Sequence, residues 1–288
     1  MKTKIAVLLT CFNRKDLTLK CLERLYLALD HAKAQIQIEV YLTDDNSNDG
    51  TAEAVKEFDP DVNILKGTGD LYWAGGMRNS WTEAVKSKFD FFLLLNDDTL
   101  VFETLFEELI KINDYAISKY AKQGIYVGST LDKDTNGFSY GGRIYLNKIK
   151  ATTANVNVNN SYQECELGNA NVMFVSKSVV NKIGILHEGY RHGRADYDYT
   201  YMASKKNIPV LVFPNYLGNC SKNSLDRMSF FKNISLVKRY KFLISPLGLG
   251  FYDDLLFQKR FFWYKYPFVF IMGYFKVLFP SIYLRVKK

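Results

Sequence analysis

Apolar residues in the first 130 positions follow two alternating patterns. Apolar runs at residues 5–9 and 91–95 are typical of strands buried within a sheet. Residues 36–42 alternate between apolar and polar as a strand does, and residues 62–65 look like a further strand. After each strand, apolar residues recur every three or four positions, as on one face of a helix, at residues 17–29, 54–58, 75–86 and 105–117. This alternation predicts an α/β fold with a mostly parallel, doubly wound sheet and flanking helices.

Polar residues cluster directly after three of these strands, at residues 10–14, 44–48 and 96–98. The carboxyl ends of parallel strands meet at one edge of a sheet, and ligands of doubly wound folds bind beyond that edge. The three clusters therefore predict one ligand site assembled from separate parts of the chain.

The cluster at residues 96–98 places two adjacent carboxylates, Asp97 and Asp98, after five large apolar residues. Such a pair suits Mg²⁺, which takes one or two protein carboxylates and fills its other positions with water and phosphate oxygens. An ion held in this way neutralises a diphosphate leaving group. The alternative is that the two residues cap the next helix, and the dipeptide alone does not decide between the two interpretations.

Two further segments could contact a nucleotide. Asp44 and Asp45 follow the strand beside the first one, where they could cap a helix or accept hydrogen bonds from a pyrimidine imide and from ribose hydroxyls. Gly75 and Gly76 are predicted to open a helix, whose N-terminal donors and dipole favour an anion or a sugar hydroxyl. The surrounding stretch GTGDLYWAGGMRN is not a dinucleotide fingerprint, because its spacing is not GxGxxG and it does not follow the first strand.

Asp196 and Asp198 lie two residues apart at the start of a predicted helix that runs to Lys205. Acidic residues in this position stabilise the helix dipole. A carboxylate there can also act as a general base toward a hydroxyl, given suitable geometry. Both interpretations are open at this point.

The positive charge of the chain is concentrated near its C-terminus. The 288 residues carry a net charge of +8, but residues 230–288 contain 11 Lys and Arg against only Asp253 and Asp254. The preceding residues are close to neutral, so they give no sign of binding nucleic acid. The four cysteines are scattered, which predicts neither a zinc site nor a disulfide framework and is typical of a reducing cytosol.

Six motifs together resemble glycosyltransferase family 2. They are TCFNR (10–14), TDDNSNDGT (43–51), AGGMRN (74–79), LLNDDT (94–99), GNANVMF (168–174) and ADYD (195–198). The resemblance covers about residues 3–225 and implies a GT-A fold, a nucleotide-diphosphate sugar donor, Mg²⁺ or Mn²⁺, and inversion of the anomeric centre. The sequences of the motifs are similar to those of bacterial capsule and O-antigen members of the family, including rhamnosyltransferase-like ones.

The resemblance also implies roles for the matching residues. Asp196 would be the catalytic base, Asp98 the metal ligand, and Asn169 and Asp198 acceptor contacts. The nucleotide would be bound by Thr10, Phe12, Arg14, Asp44, Asp45, Asn96 and Asp97. The donor sugar or diphosphate would be approached by Asp70, Trp73, Gly75, Gly76 and Arg78. The chain departs from the family pattern in having Ala195 where a Glu is usual, and in having no His after the last core strand.

These roles predict a GT-A catalytic domain over residues 1–225, with a nucleotide-binding half (1–130) and an acceptor-binding half (131–225). The implied reaction is sugar transfer from a UDP-sugar or dTDP-rhamnose to a glycan acceptor, expected to be lipid-linked, in bacterial surface polysaccharide synthesis. The rival interpretation is a non-catalytic relative that binds nucleotide sugars or acts as a scaffold, and Ala195 is its main support. A nucleotidyltransferase ranks last, because TCFNRKDL lacks the glycines of a basic glycine loop.

The remaining residues, 226–288, form a basic and aromatic appendage. Residues 230–288 contain 18 aromatic residues, and the most apolar part, residues 268–283, is interrupted by Lys276 and Pro280. It is shorter than the roughly 20 residues that span a bilayer. Basic and aromatic residues together favour a segment in the lipid headgroup region, at the inner face of the cell membrane. The alternative is helices that pack on the catalytic domain or at a homodimer interface.

Overall fold

The computed structural model describes residues 2–222 and 227–286, which form two compact units. The first unit contains the chain up to Leu186 together with Asp196–Lys222, and the second combines His187–Ala195 with the C-terminal residues. The domain boundary expected between residues 225 and 226 lies outside the described residues. The sequence did not predict that residues 187–195 belong to the C-terminal unit.

The first unit is built on a central sheet and a smaller three-stranded sheet. The strands are β1 (Thr3–Cys11), β2 (Ile36–Asp44), β3 (Asn63–Lys66), β4 (Phe91–Leu95), β5 (Leu100–Val101), β6 (Ile125–Leu131), β7 (Phe138–Tyr140), β8 (Gly142–Asn147), β9 (Thr152–Asn155), β10 (Gln163–Glu164), β11 (Leu167–Gly168), β12 (Val172–Ser176) and β13 (Val210–Asn219). The central sheet has the order β10-β13-β6-β12-β4-β1-β2-β3, with β5 and β7 paired at its side, and β11-β8-β9 form the smaller sheet.

The central sheet is parallel on one side and mixed on the other. Strands β3, β2, β1 and β4 run parallel, whereas β12 lies antiparallel between β4 and β6. The α/β fold expected from the sequence is therefore confirmed, although the sheet is more mixed than expected. The parallel half brings the ends of β1, β2 and β4 to one edge, as the polar clusters predicted.

Helices cover the sheet and make up the second unit. Those of the first unit are α1 (Lys15–Ala32), α2 (Thr51–Phe58), α3 (Tyr72–Ala84), α4 (Leu105–Tyr120), α5 (Lys177–Ile183) and α6 (Ala195–Lys205), whose first residue belongs to the second unit. Those of the second unit are α7 (Arg227–Lys232), α8 (Leu236–Ile244), α9 (Phe251–Phe261), a 3₁₀ turn at Trp263–Lys265, α10 (Tyr266–Leu278) and α11 (Pro280–Val286).

The predicted start of α3 was wrong. The helix begins at Tyr72 rather than at the glycine pair, so Gly75 and Gly76 lie within its first turns. The N–H of Gly75 donates to the carbonyl of Leu71 at 3.1 Å and is therefore engaged within the helix. The glycines serve packing instead, because a Cβ at Gly76 would overlap the side chain of Thr10 at the end of β1.

Both faces of the central strands are buried. Ile5, Val7 and Leu9 of β1 belong to one cluster of buried residues with Leu22 and Leu25 of α1. Because successive side chains of a strand alternate between faces, the other residues of β1 and β4 face the opposite layer. Each such fully buried large side chain contributes about 1.5–3 kcal/mol.

The opposite layer is organised around Trp81 of α3. Its ring centroid lies 5.8 Å from that of Phe92 in β4 and 5.3 Å from that of Tyr199 in α6. The hydroxyl of Tyr199 also donates to the carbonyl of Gly184 at 2.8 Å. Helix α6 is thereby fixed against the sheet by a buried aromatic contact.

The second unit has a core of its own, formed by Phe231, Leu243, Phe251, Leu255 and Val277. None of the helices described for this chain is long and apolar enough to cross a membrane.

Candidate active site

The turn after β4 carries the carboxylate pair. The N–H of Asn96 donates to the carbonyl of Asn171 at 3.2 Å, and the N–H of Thr99 donates to the carbonyl of Asn96 at 3.1 Å. Helix α4 starts only at Leu105 and is preceded by Thr104 as its N-terminal cap residue. Asp97 and Asp98 therefore do not cap the next helix, and that alternative is wrong.

Arg14, three residues beyond the end of β1, bridges the two carboxylates. Its Nη1 lies 3.1 Å from Oδ1 of Asp97 and 2.9 Å from Oδ2 of Asp98. One guanidinium thereby offsets the repulsion between two adjacent negative charges. Burial disfavours the charged form of Asp97 and raises its pKa to about 7, although the attraction of Arg14 acts in the opposite direction.

Asp98 is the more exposed carboxylate of the pair. Its Oδ1 lies 3.5 Å from Sγ of Cys220, and Nδ2 of Asn171 lies 3.3 Å from the same sulfur. Burial raises the pKa of Cys220 to about 12, so the sulfur is a neutral thiol at physiological pH. Among the residues that the structure describes, no three His, Cys, Asp or Glu side chains are grouped to hold a metal ion.

The loops after β1 and β2 hold each other in place. The N–H of Asn13 donates to Oγ of Ser47 at 2.9 Å, and the N–H of Asn48 donates to Oδ1 of Asn13 at 2.8 Å. Oδ1 of Asp44 accepts the N–H of Ser47 at 2.9 Å. Asn13 has φ of +53°, a left-handed conformation that Asn adopts more readily than most residues. Asp44 thus supports the loop after β2, beside the candidate site.

Asp45 fixes the start of α3. Its two carboxylate oxygens accept the N–H groups of Gly69, Leu71 and Tyr72 at 2.7, 2.9 and 3.1 Å. The N–H groups of Leu71 and Tyr72 are among those that a helix start leaves without partners inside the helix. Asp45 therefore acts as a cap from 26 residues upstream, and its predicted contact with a nucleotide remains a prediction.

The remaining predicted donor residues surround the same edge. Nε1 of Trp73 donates to Oδ1 of Asn96 at 2.8 Å, which joins α3 to the turn after β4. Thr10 is buried at the end of β1, whereas Phe12 is exposed beyond it and presents an aromatic face to solvent. Asp70 is exposed before α3, and Arg78 is half-buried within that helix.

The segment 169–171 connects the carboxylate pair to Asp196. The side-chain amide of Asn169 and the N–H of Ala170 each lie 3.4 Å from Oδ2 of Asp196. Asn171 follows directly and bonds to Asn96, as described above. Asp198 is also in α6, but it is buried rather than at the surface of the site. Residues 169–171 thus contact Asp196 directly and contact Asp98 through the thiol of Cys220.

Two contacts set the position of α6 near this segment. Oγ1 of Thr200 donates to the carbonyl of Asp196 at 2.9 Å and accepts the N–H of Gly168 at 3.0 Å. A Cβ at Gly168 would clash with Val127, so the strand can approach this closely only with glycine.

Asn171 and Cys220 were not predicted as site residues, because neither is ionised and both act through neighbours.

The fold and this site agree with the sequence comparison. The glycosyl transferase family 2 domain matches residues 6–160, which is more than half of the chain. The protein belongs to glycosyl transferase family 2, and the family-level expectation from the motifs is confirmed. Comparison with curated protein sequences finds no match.

Solved structures share the fold at low sequence identity. The mannosyltransferase PcManGT from Pyrobaculum calidifontis, in complex with GDP-Man and Mn²⁺, matches with a TM-score of 0.57 and 12% identity over 98% of this chain and 88% of its own. TarS 1–349 of S. aureus, in complex with UDP-GlcNAc, matches with a TM-score of 0.53 and 15% identity over 84% of this chain. The match covers 64% of that TarS chain, and the likeness shows a GT-A type of fold.

Asp97 should make the stability of the metal-free protein depend on pH. Its pKa in the folded chain (about 7) lies above the ordinary value of 3.8. The contribution of Asp97 to the free energy of unfolding is therefore fully present below the ordinary value and is lost as pH rises toward 7. We expect Asp97→Asn to become more stable relative to the unsubstituted protein when pH is raised from about 5 to about 8. Urea denaturation in the presence of a chelator measures this difference.

Asp132→Asn is the control, because hydrogen bonds from the backbone of Lys222 and Thr135 lower the pKa of Asp132 to about 2. The stabilisation from a lowered pKa is complete above the ordinary value, so its effect should be constant over the same pH range. A difference for Asp97→Asn that is equally constant would contradict the burial effect.

Proposed function

We propose that this glycosyltransferase is an inverting enzyme that moves a sugar from a UDP-sugar or dTDP-rhamnose to a hydroxyl of a glycan acceptor. The observation that carries the proposal is that residues 169–171 contact Asp196 directly and contact Asp98 through the thiol of Cys220. A base for the acceptor and a charged site for the donor diphosphate are thereby held by one segment. The complexes of the structural relatives with GDP-Man and UDP-GlcNAc support a nucleotide-sugar donor.

The donor nucleotide is proposed to bind over the ends of β1 and β2. Phe12 offers an exposed ring for stacking, and Asp44 and Thr10 at the ends of the same strands would supply polar contacts to the base and ribose. Arg14 is the cation at the carboxylate edge, and its fork of donors suits phosphate oxygens as well as carboxylates. The loop containing Asp70, and Trp73 and Arg78 of α3, would face the diphosphate and donor sugar.

A divalent cation fits this site through Asp98. The exposed carboxylate of Asp98 is one hard oxygen ligand, and Mg²⁺ or Mn²⁺ commonly takes one or two carboxylates with phosphate oxygens and water. The lack of a group of three acidic, His or Cys ligands in the described residues agrees with an ion that is completed by the donor. When bound, the ion would offset negative charge on the diphosphate.

Asp196 is proposed to remove the proton of the acceptor hydroxyl. That oxygen forms a bond to the anomeric carbon from the face opposite the diphosphate, and the bond from this carbon to the diphosphate oxygen breaks. The proton ends on Asp196, and the electron pair leaves with the nucleoside diphosphate. Asn169 and the N–H of Ala170, each 3.4 Å from Oδ2, orient the carboxylate for this task.

The acceptor and pathway follow from the resemblance. A lipid-linked glycan of bacterial surface polysaccharide synthesis is proposed as the acceptor, with Asn169 as a contact and Asp198 as support from within α6. The four buried cysteines, none in a disulfide, favour the reducing cytoplasmic side. The rival, a non-catalytic relative, rests on Ala195, which is buried at the start of α6.

The second unit is proposed to bind the surface of the membrane. Phe268, Ile271 and Leu278 are exposed on α10 with spacings of three and seven residues, which places them on one face of the helix. Its other side packs Gly273 and Val277 into the unit. An apolar stripe on a basic unit matches a surface of anionic lipid, whose headgroups attract Lys and Arg.

Asp196→Asn tests the catalytic role. We expect it to lower turnover by about a hundredfold or more, because general base catalysis contributes about 10²–10⁴-fold, while nucleotide affinity is unchanged. The measurement is release of nucleoside diphosphate from a panel of UDP-sugars and dTDP-rhamnose with a glycan acceptor. Asp61→Asn, an exposed residue outside the site, is the matched control. Full turnover by folded Asp196→Asn would refute the assigned role.

Phe268→Ser with Ile271→Ser tests the membrane surface. Both side chains are 63% exposed, and each apolar side chain inserted into lipid contributes up to about 1.5–3 kcal/mol, so we expect vesicle affinity to fall by about tenfold or more. The measurement is cosedimentation with vesicles that contain phosphatidylglycerol. The control is Leu146→Ser with Ile149→Ser, since these residues of the first unit are 68% and 77% exposed. Equal binding by both variants would contradict the proposal.

A further inference from the structure

A buried carboxylate in the second unit holds a segment of irregular backbone. Asp253, in the first turn of α9, is 5% exposed and accepts three backbone N–H groups. Its Oδ1 accepts from Arg191 at 3.1 Å, and its Oδ2 accepts from His192 at 3.0 Å and from Gly193 at 2.8 Å. Hydrogen bonds to an ionised acceptor are stronger than those between neutral groups.

These bonds replace the regular hydrogen bonding that the segment lacks. Residues 191–194 belong to no helix or strand, so their N–H groups need partners from outside the segment. One side chain supplies three of them. Removal of its charge would leave these partly buried hydrogen bonds with a weaker or missing acceptor, which costs more than the loss of a fully exposed hydrogen bond.

The next residue along α9 holds the end of the same segment. Oδ1 of Asp254 accepts from Nε of Arg194 at 2.6 Å, and the guanidinium carbon of Arg194 lies 5.8 Å from the centre of the Phe257 ring. Arg194 has φ of +66°, a left-handed conformation that is unfavourable for a residue with a Cβ. Contacts from α9 therefore hold residue 194 in a conformation that it would seldom adopt alone.

This segment leads directly into the helix that carries the proposed base. Arg194 is followed by Ala195, the first residue of α6, and by Asp196. A restricted backbone at residues 191–194 therefore restricts the conformations available to the start of α6. A carboxylate that acts as a base needs a narrow range of positions, and a misplacement of about 1 Å can cost about a hundredfold in rate.

We propose that Asp253 is a positioning residue for the transfer reaction, which fixes residues 191–193 and through them the helix start that presents Asp196. This inference rests on the proposed role of Asp196. It gives the C-terminal helices a part in catalysis in addition to the proposed membrane contact. The family match ends at residue 160, so the hydrogen bonds between Asp253 and residues 191–193 lie in a part of the chain that the match does not cover.

Asp253→Asn tests the inference with little change of volume. The side-chain amide nitrogen of Asn replaces one carboxylate oxygen and presents N–H groups toward at least one of the three backbone donors. The three backbone N–H groups therefore cannot all keep an acceptor. We expect hydrogen exchange of the amides of residues 191–193 to become about tenfold faster or more. We expect kcat to fall by about tenfold to a hundredfold, with KM for the nucleotide sugar within about twofold.

Asp132→Asn is the matched control for the exchange measurement. Asp132 is also 5% exposed and also accepts three backbone N–H groups, from Asp134, Thr135 and Lys222, but in another loop. It should weaken folding without a change in exchange at residues 191–193. A purely structural role of Asp253 would likewise lower stability without a selective effect on kcat.

The outcomes separate this inference from the proposed function. Unchanged exchange at residues 191–193 in Asp253→Asn would overturn it, and so would faster exchange with an unchanged kcat. If the unsubstituted protein turns over no nucleotide sugar, the proposed function fails and the positioning role fails with it. Faster exchange together with a lower kcat and an unchanged KM supports the inference.

Discussion

The pairing of β12 with β4 is the interaction on which the candidate site depends. Five residues of β12 run antiparallel to the fully buried Phe91–Leu95, and the bond from Asn96 to Asn171 extends this pairing by one step. Because of this register, residues 169–171 lie beyond the end of β4, next to the turn that carries the carboxylate pair. A slip by one residue would turn every side chain of β12 to the opposite face, so the buried strands leave little freedom in this register. The placement of residues 169–171, which contact Asp196 directly and Asp98 through Cys220, follows from it.

Charge is the second constraint at this edge. Asp97 and Asp98 repel each other, and the burial of Asp97 adds a desolvation cost that shows as its raised pKa. Arg14 offsets part of this cost by bonding to both. The charges of two carboxylates and one guanidinium at this edge are compatible with the binding of a further cation and an anionic ligand. Such a balance would suit the nucleotide diphosphate and divalent ion proposed for this edge.

Much of this architecture could be read from the sequence. The apolar runs at β1, β2 and β4 and the polar residues that follow them are local signals, and parallel strands bring their carboxyl ends together. The start of α3 could not be predicted, because it is set by Asp45, which accepts N–H groups 24 to 27 residues further along. Likewise, no local pattern links residues 191–193 to Asp253, some 60 residues away. Contacts between distant segments decide both features.

Calorimetric titration tests most directly whether this edge binds a nucleotide diphosphate with a divalent ion. The purified protein would be titrated with UDP, dTDP and GDP, each with and without Mn²⁺. We expect one nucleotide to bind and Mn²⁺ to increase its affinity by about tenfold or more, equivalent to about 1.4 kcal/mol. Asp98→Asn should lose this effect of Mn²⁺. Failure of all three nucleotides to bind the folded protein, or a full effect of Mn²⁺ in Asp98→Asn, would contradict this proposal.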